Sequence, residues 1–464
     1  MRAVTADSPL WTFREIAQAT GGTAEGYFAA SGVAFDSREV GAGDLFVALK
    51  GEATDGHKFA DTAFANGAAG AIVSSPMSHP HVLVPDTIQA LEDLARAARA
   101  RVSAKIIGVT GSVGKTGTKE ALFHAFERAR PGRTHRSLKS YNNHVGVPLS
   151  LSRMPRDTLC GIFEMGMNHA GELAALTRLV RPHVAVVTAI APAHIEYFGT
   201  EAAIAHAKAE IFEGLEPGGT AVIPYDSPHR DLLVDAARQH SANILTFGLG
   251  EGADVRAIEF VPAREGGSLV TAKLPEAELC FTISAPGDHW VSNALAVLAA
   301  VEAAGGDLAV AGLALAELPG LAGRGERRKL HLKGGDALLI DESYNANPLS
   351  MAATLRQLGR EPADRRIAVL GAMKELGASS ATLHEGLAET IEQAKLGMVI
   401  LVGDEMAPLA HRLEGGMALT HVANADEARY ALESNMRAGD AILIKGSNSI
   451  GLSRVVAALT GGEE

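Results

Sequence analysis

KIIGVTGSVGKTGTKE, residues 105–120, runs from an apolar stretch into glycines and then into a Lys-Thr pair. KIIGVT reads as a strand. TKEALFHAFERA, 118–129, reads as a helix with Leu122, Ala125, Phe126 and Ala129 on one face. Strand, glycine-rich turn and helix in that order are what a phosphate loop needs: N–H groups at a helix start attract anions, and glycine lets the main chain approach them. Gly111, Ser112, Val113 and Gly114 form the turn, Lys115 reaches the β- and γ-phosphates, and Thr116 ligates Mg²⁺. The strict long motif asks for glycine where Val109 stands. Only the shorter G-x-x-G-K-T, Gly111 to Thr116, is present.

Outward from this loop the pattern alternates. TLCGIFE, VAVVTAI and TAVIPY read as strands, separated by the helical GELAALTRLV and EAAIAHAKAEIFEGL. Such alternation implies a parallel sheet wrapped by helices. ADVRAIEFV, SLVTAKL and ELCFTISA read as antiparallel strands of a small side sheet. Before residue 103 comes a unit of short strands (GVAFDSREV, GDLFVAL, GAIV) and helices (WTFREIAQATGG, FADTAFANGA, LEDLARAARARVSA). After the Gly-rich LPGLAGRGERR, the strands ALLIDE, RIAVLG, MVILVG, LTHVA and AILIKG alternate with helices, as in a small doubly wound fold. The expected fold class is α/β with three domains, 1–102, 103–323 and 324–464. A chain of 464 residues suits about three domains.

Composition narrows the function. The net charge is −12, which argues against a nucleic-acid partner held on a broad basic surface. No run of 18 apolar residues predicts a membrane span, and the first residues lack a signal-peptide core, so a cytoplasmic protein is expected. The two cysteines, Cys160 and Cys280, lie in strand-like runs and are expected to be buried.

Ligands of open α/β sheets gather beyond the carboxyl ends of strands. Glu164 falls there, after TLCGIF, and so does His194, in APAHIEYFG. With Thr116 they offer carboxylate, imidazole and hydroxyl to Mg²⁺, the imidazole being the odder ligand. Lys208, in AHAKAEIFEGL, reads locally as a cation on a solvated helix face.

Ordered along the chain, GVAFDSREVGAGDLFVALKGEATDGHKFADTAFANGAAGAIV, GVTGSVGKTGTKE, SYNNHVGVPLSL, FEMGMNHAGEL, AHIEYFGT, AKAEIF, GDHWVSNALA, IDESYNANPLSM, GAMKELG and IKGS give the chain a resemblance to the ATP-dependent Mur ligases over essentially its whole length. YNANP and NNHVGVPL point to the dipeptide-adding type. The resemblance implies an N-terminal UDP-sugar substrate domain, a central ATPase with the shorter phosphate loop, and a C-terminal Rossmann-like domain that closes over the site. It implies UDP-N-acetylmuramoyl-tripeptide and D-alanyl-D-alanine as substrates, ATP, two Mg²⁺, and a monomer.

The roles it carries over fall on matched positions. Lys115 and the neighbouring amides would hold ATP phosphates, and Thr116 and Glu164 one Mg²⁺. His194 would help hold a second. Lys208 matches a lysine that takes up CO₂ as a carbamate. Asn293 would contact the base, with Asp341, Tyr344 and Asn345 near the nucleotide and Arg324 reaching it from the hinge. Ser37, Arg38, Asp55 and His57 would form the UDP end, Asn142 and Asn143 would line the path to the peptide, and Lys445 and Ser447 would face the reacting groups. Four positions depart from the family pattern: Glu342 and Ala372 where Asp is usual, Trp290 where Asn is usual, and Asn448 where Arg is common. A sibling that adds a single amino acid shares DSR, DGH and the phosphate loop, but its C-terminal D-x-N-P- or D-x-R-like selector is not found here.

Overall fold

The inner strands of the chain's three main sheets alternate their apolar side chains between two cores, because successive residues of a strand point to opposite faces. The computed structural model describes residues 9–51, 54–241, 243–263, 267–318 and 320–461. The ends of the expected terminal domains, 1–8 and 462–464, lie outside them.

In the central unit Ile107, Val109, Ile162, Val184 and Val186 join one buried cluster, while Ile106, Phe163, Ala185 and Val187 join the other. Val109, where the long motif wants glycine, is therefore a core residue of the strand Lys105–Thr110, paired with Glu164 on one side and Val186 on the other. In the third unit Ile367, Val369, Ile442 and Ile444 face one cluster and Ala368, Leu370, Ala441 and Leu443 the other. The first unit divides Leu45, Val47 and Ile72 from Phe46, Ala48 and Ala71 in the same way. All three sheets are thus covered on both faces, as parallel sheets require.

The central sheet has nine strands among the described residues. Lys105–Thr110 lies between Cys160–Glu164 and Val184–Val187, all parallel. The chain builds outward from Lys105–Thr110 first to one side and then to the other, so the phosphate-loop strand stands at the switch point where such sheets open a crevice. The three runs expected to form a side sheet instead extend this sheet. Asn243–Gly248, a strand unmarked in the sequence reading, pairs parallel with Val255–Pro262, and Ser268–Lys273 and Glu278–Ile283 follow antiparallel. Glu278–Ile283 leaves Cys280 exposed, contrary to expectation, because its position on the strand faces away from the core that takes Phe281 and Ile283; Cys160 is buried.

Among the described residues the first unit's main sheet has five strands, four of them mutually parallel, beside a two-stranded pair, Trp11–Thr12 with Ala29–Ala30, and the third unit's sheet has six. In the third, Glu326–Leu332 adds an antiparallel edge to Gly335–Glu342, beyond the five parallel strands expected. GVAFDSREV is a strand only over Gly32–Ala34. Asp36 then accepts from the Arg38 N–H and turns the chain into a short 3₁₀ segment, Ser37–Glu39. Among the described residues, no helix is long and apolar enough to cross a membrane.

Candidate active site

The helix Lys115–Ala129 starts at Gly114, which has φ 86° and gives no side-chain cap. Its first N–H groups are left for an external acceptor, and the helix dipole favours an anion there. Glycine is required at 114 twice over: the left-handed backbone disfavours other residues, and a Cβ would lie 2.6 Å from Asn293 Oδ1. Thr188, at the end of the neighbouring strand, donates to the Val113 carbonyl at 2.5 Å, and Ser112 donates to the Ala191 carbonyl at 3.0 Å, so the loop is pinned by the segment that follows that strand.

Ser112 through Thr116 line a cavity of about 1210 Å³ between the central and third units. Glu164 sits at its floor, 1% exposed. Its carboxylate accepts from the Thr116 hydroxyl and from Asn142 Nδ2, both at 2.8 Å. Lys115 donates to the Gly111 carbonyl at 2.7 Å; burial pulls its pKa down, against the opposing pull of Glu164. His194 and Lys208 line the same cavity, and so do Asn293, Arg324, Tyr344, Asn345 and Lys445.

Lys208 is not on a solvated face. It is 1% exposed, and no hydrogen bond or ion pair to its side chain is found among the described residues. The helix Glu201–Ala209 packs its Ile204, Ala207 and Ala209 into the central core and carries Lys208 inward with them. Burial drives its pKa well below that of an ordinary lysine, and the Lys115 ammonium pushes the same way. The His194 pKa is lowered by burial first; Glu375 opposes this, and Lys115 and Lys208 reinforce it.

Arg324 lies 4.1 Å above the Tyr344 ring and donates to Ser140 of the central unit at 3.3 Å. Asp341 is kept from the cavity. Its carboxylate accepts from Gly323 N–H and from the Ser343 N–H and hydroxyl, which folds the turn beside the hinge. Lys445 donates to the Asn345 carbonyl at 2.9 Å and to Glu342 at 3.3 Å, its partner across the parallel strands. The extra methylene of Glu342 is thereby spent on Lys445. Trp290 packs over Gly117, where a Cβ would fall 2.9 Å from the ring. Ala372 is fully buried, and Asn448 opens an exposed 3₁₀ turn. Ser447 is buried, and its hydroxyl accepts from Lys374 N–H at 2.9 Å.

The expected UDP-end residues stand apart in the first unit. Arg38 pairs with Asp36 at 2.6 Å, Ser37 is buried, and Asp55 holds His57 Nδ1 at 2.6 Å while Ser74 N–H donates to His57 Nε2 at 2.8 Å. Glu39, next to Arg38, takes the Tyr141 hydroxyl at 2.9 Å and contacts Lys139, which ties this edge to the segment bearing Asn142. Asn143 is not among the cavity's lining residues; its Oδ1 accepts from Val145 N–H at 3.2 Å and Gly146 N–H at 2.9 Å, in the turn that leads into the helix Gly146–Ser152.

Three residues of the site were passed over in the sequence. Lys119 is fully buried, donates to the carbonyls of Ser137 and Lys139, and lies 3.9 Å from Glu164. Its spacing one turn after Thr116 was the available signal. Thr188 closes VAVVT, at the strand end where sites gather. Glu375 touches His194 from the third unit, a pairing that no local pattern announces.

Three doubly covered α/β units around a phosphate loop, with a third-unit lysine in the same cavity as Lys115, define a phosphate-loop nucleotide enzyme whose site is shared between lobes. The Mur ligase middle domain matches residues 109–301, the Mur ligase glutamate ligase domain 323–448, and the Mur ligase family catalytic domain 30–102. The UDP-N-acetylmuramoyl-tripeptide–D-alanyl-D-alanine ligase of Synechocystis is 35% identical, over 91% of this chain and 90% of its own. MurF from Acinetobacter baumannii superposes with a TM-score of 0.84 at 31% identity, over 97% and 99% of the two chains. MurF from Thermotoga maritima, in complex with ADP, gives 0.77 at 28% identity, over 93% and 97%. The chain belongs to the Mur ligase family.

Proposed function

We propose that this protein is the ATP-dependent ligase that joins D-alanyl-D-alanine to UDP-N-acetylmuramoyl-tripeptide, acting as a cytoplasmic monomer with working domains 1–102, 103–323 and 324–464. The observation that carries this reading is the single cavity in which Lys115, Thr116 and Glu164 of one lobe meet Asn345 and Lys445 of another. A carboxylate is a poor electrophile at neutral pH. Transfer of the γ-phosphoryl group of ATP to the tripeptide's terminal carboxylate would release ADP and give an acyl phosphate. The D-alanyl-D-alanine amine then attacks the acyl carbon, loses a proton, and the tetrahedral adduct expels phosphate as the amide forms. The chain's contribution is alignment and charge neutralisation: Lys115 and the uncapped helix start hold the phosphates, and Asn142 and Lys119 fix Glu164.

The Thr116 hydroxyl and Glu164 carboxylate are an oxygen donor pair that suits Mg²⁺. No three His, Cys, Asp or Glu side chains converge on a ready-made metal cage among the described residues, so phosphate oxygens and water would complete the shell. Bound there, Mg²⁺ would supply offsetting positive charge between carboxylate and triphosphate.

Lys208 fits the carbamate reading on physical grounds. A buried lysine without a partner is costly, and its depressed pKa supplies the neutral amine that CO₂ needs. Addition forms an N–C bond, releases one proton and leaves an anion beside Lys115, which would brace the metal with His194. Nucleotide contacts from Asn293, Arg324, Tyr344 and Asn345, with Asp341 shaping the hinge turn, and a UDP end at Ser37, Arg38, Asp55 and His57, complete the proposed assignment.

The test offers ATP, Mg²⁺ and UDP-N-acetylmuramoyl-tripeptide with D-alanyl-D-alanine, single D-alanine or diaminopimelate as the amine, and reads product mass. Product from the dipeptide, and none from Lys115→Ala, is expected. Product only with a single amino acid would overturn the assignment.

A further inference from the structure

Among the described residues five non-glycine residues take a positive φ, and two of them, His194 at 61° and Glu375 at 62°, are in contact. A left-handed backbone at a residue with a Cβ is strained, and the strain persists only where the surroundings over-determine it. The surroundings here come from both lobes. Glu196 N–H donates to the Glu375 carbonyl at 3.2 Å, and Gly377 brings its backbone so near Glu196 that a Cβ would lie 3.2 Å from it. Ile195, between His194 and Glu196, packs against the core of the central lobe and against that of the third. Behind Glu375, the Met373 N–H is held by His384 Nε2 at 2.9 Å and the Lys374 N–H by Ser447. The Glu375 carboxylate lies against His194 Nδ1 as an ion pair that a small ring rotation would align as a hydrogen bond, which leaves Nε2 as the second ring nitrogen of a residue that lines the nucleotide cavity.

We propose that Glu375 is a positioning residue for His194: it holds Nδ1–H, fixes the tautomer and ring, and presents Nε2 to a divalent cation, so that this ligand is set only while the third lobe is docked. Imidazole is a weak partner for a hard cation. A carboxylate on the far nitrogen raises its basicity and removes its rotational freedom, and losing such a partner typically costs 10–100-fold in metal affinity. Two lobes are thereby coupled through one ring, and by linkage whatever strengthens docking strengthens cation binding equally. The inference rests on the reading of His194 as a metal ligand under the proposed function, but its test needs no acceptor substrate.

Mn²⁺ is titrated into the protein carrying one equivalent of ADP with free ADP removed. Unbound Mn²⁺ is read by electron paramagnetic resonance, and imidazole nitrogen on bound Mn²⁺ by spin-echo modulation. Wild type is expected to show nitrogen modulation that His194→Gln loses. Glu375→Ala should weaken Mn²⁺ about 10–100-fold, and Glu375→Gln, whose amide oxygen still accepts from Nδ1–H without a charge, should fall between. Glu405→Gln, which removes a carboxylate paired with neighbouring Lys374, should stay within about twofold of wild type on the same argument. Wild-type affinity in both Glu375 variants overturns the proposal, even where their metal-free melting temperature has dropped, and so does a wild type without nitrogen modulation. Failure of the ligase reading would appear separately, as missing amide product with Mn²⁺ and nucleotide binding intact.

Discussion

Burial disfavours the charge on both Lys115 and Lys208; the Lys115 ammonium further lowers the proton affinity of Lys208, whereas Glu164 compensates Lys115 against burial and Arg324. The pair is therefore asymmetric: Lys115 is suited to stay a cation for phosphate, and Lys208 to give up its proton. Lys208→Ala is expected to cut ligation at least about 100-fold, the scale of a lost charge-stabilising group in an enclosed site, and depletion of CO₂ and bicarbonate should lower the wild-type rate reversibly. Lys208→Ala at wild-type rates across a Mg²⁺ titration would return the lysine to a bystander. This contrast was hidden in the sequence. AHAKAEIF shows a lysine at a helical position, but whether that face meets water depends on which sheet the helix covers. The phosphate loop was legible because its chemistry is local: six consecutive residues carry the turn, the amides, the cation and the hydroxyl. Asp341 shows the converse. Its place at the end of an apolar strand was readable, but not that Gly323 and Ser343 engage its carboxylate.

The turn Ala372–Gly377 has little regular structure of its own and is held by one buried imidazole. His384 donates through Nδ1–H to the Ser380 carbonyl at 2.7 Å and accepts the Met373 N–H at Nε2, which requires the neutral ring. Burial lowers its pKa below the ordinary histidine value. A folded-state pKa under the unfolded one means protons favour the unfolded chain. The stabilisation is full above the unfolded value of about 6.5 and drains away as pH falls from there through the folded value. His384→Ala should cost about 1–3 kcal/mol at pH 8 by leaving the Met373 N–H unpaired, and its melting temperature should fall less steeply than wild type's between pH 7 and 5. Parallel curves for the two proteins would remove His384 from the acid response. Elements of this kind resist sequence reading because the turn's partner lies on the next helix. Most strands with strong alternation or continuous apolar runs were read where they stand, but His81–Leu83, an apolar run paired on both sides, was not. Asn243–Gly248 and Glu326–Leu332 were missed: one carries half-exposed residues, and the other is an amphipathic edge strand rich in Arg and Lys.

The first and second lobes meet along a packed seam, where the helix Thr87–Ala100 lies on Gly146–Ser152 and Leu149 enters the first unit's core. Trp11 donates to the Ser152 carbonyl at 2.8 Å, Arg153 donates to the Val33 carbonyl at 2.5 Å, and Ile195 and Glu375 join the second lobe to the third. The number of lobes was legible from alternation and length, because each lobe announces its own sheet. Their mutual placement was not, because it is carried by residues distant in the chain whose pairing no local pattern announces. This division has a chemical consequence. The phosphate loop belongs to one lobe and Lys445 to another, so phosphoryl transfer is expected only when docking has enclosed the substrates and excluded the water that would destroy an acyl phosphate. ADP formation should therefore be slow with ATP and Mg²⁺ alone, should remain well below the full rate with tripeptide added, and should reach that rate only with D-alanyl-D-alanine present. Substitution of Ile195 by Ala, which trims the side chain packed into both cores, should reduce the full rate several-fold and leave the rate with ATP alone unchanged, since the phosphate loop keeps its own supports in Thr188 and Ser112. A steady-state assay that omits each component in turn reads both effects. Full ADP release with neither acceptor present would mean that the central lobe works as a free ATPase and that the third lobe's contacts serve some other end.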